Sequence, residues 1–105
     1  MKTSVVKTKQ NIITILRDND NILKNLGIKK VGLFGSFVRN EQTDDSDVDL
    51  LAEFEKEQKT FDNFMNAAFF LEDLLVIPVE LVTEDSISPY LKPHIMKEVE
   101  YVNII

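Results

Sequence analysis

The stretch "GLFGSFVRNEQTDDSDVDLLAEF", Gly32 to Phe54, sets two aspartates, Asp47 and Asp49, inside an otherwise apolar, strand-like run. Under strand alternation Val48, Leu50, Ala52 and Phe54 point one way, and Asp47, Asp49, Leu51 and Glu53 the other. Aspartate is depleted in strands, and burying an unpaired carboxylate is costly. Two of them at i and i+2 share a face and repel unless something positive lies between them. No run of bases stands nearby to do this. A hard divalent cation such as Mg2+, which takes carboxylate oxygens together with phosphates, meets the need. Two carboxylates on one strand are enough to begin a two-metal site, whose ions sit about 3.5–4 Å apart.

Upstream, "KKVGLFG" (Lys29 to Gly35) is a short apolar run ending in glycine, the pattern of a buried strand. "SFVRNEQ" then offers one or two helical turns with Ser36 at the start. Gly35 would let a phosphate approach the backbone, and the first-turn amides and Ser36 hydroxyl would bind its oxygens. Arg39, one turn on, would reach a phosphate or an incoming acceptor. "TDDS" (Thr43 to Ser46) is turn chemistry leading into the acidic strand.

Further out, Ile12, Ile15, Leu16, Ile22, Leu23 and Leu26 recur at helical spacing, interrupted at Asn19 and capped by Gly27. Residues 1–8 read as a polar, frayed lead-in. Thr60 is a plausible N-cap for a helix whose stripe is Phe61, Phe64, Met65, Ala68, Leu71 and Leu75. Pro78 opens a third strand, "PVELV", with Glu80 on the face opposite Val79 and Leu81. The tail from Ser86 to Val102 predicts one or two short helices broken at Pro93. The order α-β-(α)-β-α-β-α gives an α/β (α+β) class: a small mixed sheet covered by helices. With no repeat and no linker, residues 1–105 form one domain.

Composition narrows the function. The 105 residues carry 18 acids against 12 bases, a net charge of −6, which argues against direct binding to nucleic acid. There is no cysteine, so disulfides and thiolate metal sites are excluded. The N-terminus has no secretory apolar core and no run approaches membrane-spanning length, so the expected location is cytoplasmic with no membrane partner. Asp44 and Asp45 read as solvent-facing turn acids, and Glu41 as a helix-turn charge or a partner of Arg39 rather than a ligand. His94 reads as a surface or packing residue, and Tyr90 and Tyr101 as packing residues. Phe69 and Phe70 are adjacent and cannot both face one stripe, so one of them is expected on a partner-binding surface.

Gly35-Ser36, ten residues, then Asp47-x-Asp49, with Arg39-x-Glu41 and Ser46-Asp47 between, resembles the DNA polymerase beta-like nucleotidyltransferase superfamily. Within it the chain is similar, over nearly its full length, to the minimal nucleotidyltransferases (MNT) that partner HEPN-domain proteins. The resemblance implies a polymerase beta-like fold and a Mg2+-dependent protein adenylyltransferase. Such an antitoxin moves AMP from ATP to a tyrosine hydroxyl of a HEPN ribonuclease toxin. It implies Asp47, Asp49 and Glu80 as catalytic and metal-binding carboxylates, with Gly35, Ser36 and Arg39 on the phosphates. Glu80 departs from the family, whose last strand usually supplies an aspartate. The extra methylene moves the carboxylate by roughly one bond length, enough to matter to rate. The alternative is a non-catalytic antitoxin that neutralises a HEPN toxin by binding alone. Transfer to a small molecule is a third possibility, disfavoured because the second domain of larger relatives is missing.

Overall fold

A computed structural model describes residues 8–104. The expected lead-in at 1–7 therefore lies outside the described residues. Thr8 itself caps α1 (Lys9–Asp18): its Oγ1 accepts from the Asn11 amide at 3.1 Å, and the Asn11 side chain accepts from the Thr8 amide at 3.2 Å. Asn19 ends that helix by donating its side-chain amide to the Ile15 carbonyl at 2.9 Å, and α2 (Asp20–Asn25) follows. The interruption at Asn19 thus splits the stripe into two helices. Gly27 follows with φ +89°, the left-handed conformation that closes a helix.

Four strands form one sheet: β1 (Ile28–Phe34), β2 (Val48–Phe54), β3 (Val79–Val82) and β4 (Glu100–Asn103). Their order is β3-β2-β1-β4, with β2 and β3 parallel and the other two pairings antiparallel. A parallel pair needs a crossover. Here it is α3 (Phe61–Leu75), whose cap Thr60 accepts from the Asn63 amide at 3.1 Å. A mixed sheet with helices is the α+β architecture expected.

Helices α1 to α3 cover one face of the sheet. Ile12, Leu16, Leu23, Leu71 and Leu75 meet Val31, Leu33, Val48 and Leu50, all fully buried. Each such side chain contributes about 1.5–3 kcal/mol over its exposed state. Ala67, which the expected stripe omits, is buried, whereas Phe61 is 77% exposed. The helix is rotated so that Ala67 faces the core and its first-turn aromatic faces solvent. The opposite face carries Gly32, Asp49, Leu51, Glu53, Glu80 and Tyr101, the residues out of phase with the core.

The tail departs from expectation. Pro93 lies in the first turn of α4 (Lys92–Glu98) and starts that helix, as its fixed φ and missing N–H allow. Beyond it, β4 is an unexpected fourth strand. Only Val102 of its four residues is buried, so its alternation is too short to read. Among the described residues no helix is long and apolar enough to cross a membrane.

Candidate active site

Register assembles the acids. Asp49 stands opposite Glu80 on β3 and opposite Phe34 on β1. The Val48 amide donates to the Pro78 carbonyl at 2.9 Å, aligning the starts of both strands. Asp47, one residue before β2, is exposed, and Asp49 is half-buried. Burial pushes the Asp49 carboxyl up to about 6, reinforced by the charge of Glu80, a hydrogen bond to it, and the charge of Asp47; Arg39 opposes the shift. Among the described residues no three acidic, histidine or cysteine side chains converge as they stand on a point that could hold an ion. Asp47, Asp49 and Glu80 are the residues that could hold an ion here. All donors are carboxylate oxygens, which suit a hard cation such as Mg2+. A cation there would also relieve the repulsion that raises Asp49.

Gly35 closes over this pair. It is buried, follows β1 directly, and has φ +81°. A Cβ at this position would fall on the Asp49 carboxylate, with its Cγ only 3.0 Å away. No other residue fits without displacing Asp49. Beyond Gly35 the expected helical turns reduce to one 3-10 turn (Gly35–Phe37), because the chain folds back early: the Glu41 amide donates to the Ser36 carbonyl at 2.8 Å. There is accordingly no full helix N-terminus here, and any anion would rely on local amides and side chains.

Two of the expected phosphate ligands already face an anion. The Gly35 amide donates to Glu98 Oε2 at 2.7 Å, and Arg39 Nη1 donates to Glu98 Oε1 at 2.8 Å. Arg39 Nε also donates to Glu41 Oε1 at 3.0 Å, the second of the two readings given for Glu41. The Glu41 and Glu98 carboxylates hold the guanidinium still more firmly charged. Ser36 is half-buried beside Gly35. Glu98 gave no signal in the sequence: it is 63 residues from Gly35, and only the docking of α4 brings it in.

The remaining candidates lie apart from this cluster. Asp44, Asp45 and His94 are exposed. Tyr101 packs under Lys30, whose Nζ lies 4.1 Å from the ring centre, whereas Tyr90 is 87% exposed and does not pack as expected. Phe70 packs against the core while Phe69 is 58% exposed. A cleft of about 450 Å³, whose lining includes Leu51, Glu53, Thr83, Lys92 and Tyr101, is lined by none of Gly35, Ser36, Arg39, Asp47, Asp49 and Glu80.

Residues 10–102 match the family described as Nucleotidyltransferase domain. The chain is 39% identical over 100 residues to a Methanocaldococcus jannaschii protein provisionally named a protein adenylyltransferase, covering 92% of this chain and 100% of that one. It is 36% identical over 96 residues to the protein adenylyltransferase MntA of Thermococcus cleftensis, covering 90% and 96%. A solved structure provisionally described as a minimal nucleotidyltransferase is similar with a TM-score of 0.68 at 30% identity, over 84% of this chain and 93% of that one. A toxin–antitoxin crystal structure with AMP-PNP shares the fold, with a TM-score of 0.63 at 24% identity over 90% of this chain and 72% of that one. The chain belongs to the nucleotidyltransferase domain family. Within that family it is a minimal nucleotidyltransferase, an enzyme class whose four-stranded mixed sheet it shares.

Proposed function

We propose that the chain is a protein adenylyltransferase antitoxin that transfers AMP from ATP to a tyrosine hydroxyl of a HEPN ribonuclease toxin. The observation that carries this reading is the register: Asp49 faces Glu80, with Asp47 two residues before it and Gly35 pressed onto its carboxylate. The names of the relatives and the toxin–antitoxin fold neighbour support the same direction.

Asp47, Asp49 and Glu80 would hold Mg2+ through their carboxylate oxygens. Bound Mg2+ supplies charge neutralisation at the transferring phosphate. The Gly35 amide, Ser36 hydroxyl and Arg39 guanidinium orient the β and γ phosphates. Glu80, exposed on the edge strand β3, accepts the proton of the acceptor hydroxyl. The freed oxygen forms a bond to the α-phosphorus, the bond from that phosphorus to the bridging oxygen breaks, and pyrophosphate leaves.

The test is label transfer from α- and γ-labelled ATP to a purified HEPN toxin, with Mg2+, using wild type and Asp47→Ala/Asp49→Ala. Label from the α position alone, lost in the double variant, is the expected result. Toxin neutralised without any label, by wild type and double variant alike, would replace catalysis with binding.

A further inference from the structure

Glu98 occupies the place that the proposed function gives to a phosphate. Its two carboxylate oxygens are both engaged, one by the Gly35 amide at 2.7 Å and one by Arg39 Nη1 at 2.8 Å. A carboxylate and a phosphate present the same kind of acceptor oxygen, and the Gly35 amide has a single N–H, so it cannot serve both at once. The side chain is 23% exposed, against 66% for Glu41 on the other edge of the same guanidinium. Glu98 is therefore the inner of the two anions on Arg39.

The fold delivers Glu98 by a specific route. Gly32, three residues before Gly35, leaves room for Val99 and for the Tyr101 ring, whose Cε1 would lie 3.0 Å from a Cβ there. That contact seats the junction between α4 and β4 on the sheet and swings the last residue of α4 over Gly35. The hold is also easily released. No residue of α4 is buried, so withdrawing Glu98 disturbs no core packing.

We infer that Glu98 is an internal anion that fills the phosphate subsite in the nucleotide-free chain and must be displaced by the triphosphate, so that α4 controls nucleotide entry. The inference rests on the reading of Gly35 and Arg39 as phosphate ligands. A site closed about nine-tenths of the time weakens apparent affinity on the order of tenfold. In Glu98→Gln the new side-chain amide oxygen would still accept from Gly35, but the charge that holds Arg39 would be gone.

The experiment measures Mg2+-ATP binding calorimetrically for wild type, Glu98→Gln and Glu41→Gln, alongside α-label transfer by wild type. The expected result is roughly tenfold tighter binding by Glu98→Gln, with Glu41→Gln changed by about twofold or less, as befits an exposed pair. If wild type binds and transfers while Glu98→Gln binds no tighter, or Glu41→Gln gains equally, the inference is overturned and the transfer reading stands. If wild type neither binds ATP nor transfers label, both fall. Should Glu98→Gln not fold, the side-chain carboxyl carbon of Glu98 in labelled wild type decides. Its resonance must shift, together with the Gly35 amide, as ATP is added; an unmoved Glu98 carboxyl on saturation overturns the inference.

Discussion

Replacing Asp49 by asparagine should stabilise this protein at neutral and alkaline pH in the absence of divalent cations. Burial and the facing Glu80 raise the Asp49 carboxyl from 3.8 to about 6. A carboxyl whose folded value lies above its unfolded value favours folding while protonated. That contribution is complete below about pH 4 and is lost as pH rises through about 6. The difference, 6 − 3.8 = 2.2, corresponds to about 3 kcal/mol at full strength. Asp49 is only half-buried, and solvent screening reduces the figure to about 1–2 kcal/mol. Urea unfolding in chelator at about pH 4.5 and about pH 8 measures it. Asp49→Asn should match wild type to within about 0.5 kcal/mol at the lower pH and exceed it by about 1–2 kcal/mol at the higher, a midpoint shift of roughly 0.5–1 M. Millimolar Mg2+ should stabilise wild type at the higher pH by mass action and leave the variant behind. A difference that is the same at both pH values, or that disfavours the variant under alkaline conditions, would refute the assignment of the strain to Asp49.

Other consequences follow from the same geometry. Gly35→Ala sets a methyl on the Asp49 carboxylate at a φ of +81°, and should cost about 1–3 kcal/mol in thermal unfolding and abolish label transfer. Glu80→Gln keeps the size of the side chain but not its charge, and should lower kcat for transfer by about 10²-fold or more. Glu80→Asp should stay within about tenfold of wild type, so equal losses in the two would remove Glu80 from proton transfer. Thr60→Ala removes the cap bond to Asn63 at the start of α3, and should cost about 1 kcal/mol by urea titration while leaving transfer unchanged.

Much of the site was legible because its residue types violate local preference. Asp47 and Asp49 contradict a strand, a conflict visible in one dimension, whereas the φ of +81° at Gly35 and its closeness to the Asp49 carboxylate are visible only in the folded chain. Glu80 showed its face through a four-residue alternation anchored by Pro78. Helices α1 and α3 were readable from stripes long enough to count, although Phe61 and Ala67 were exchanged on the core face. Cap and apolar spacing locate a helix better than they fix its rotation. Where a segment was short, local pattern failed. β4 has one buried residue in four, and the turn after Gly35 is closed by a backbone bond from Glu41 to Ser36 that no side chain announces.

The acidic strand face could be read along the chain as a local breach of propensity, and the class of the protein through the resemblance carried by Gly35-Ser36 and Asp47-x-Asp49. That Glu80 stands opposite Asp49, and that Glu98 reaches Gly35 and Arg39, emerged only from the packed molecule. Both depend on register and docking between segments 31 and 63 residues apart. Such contacts are set by how whole elements pack, not by the residues beside them.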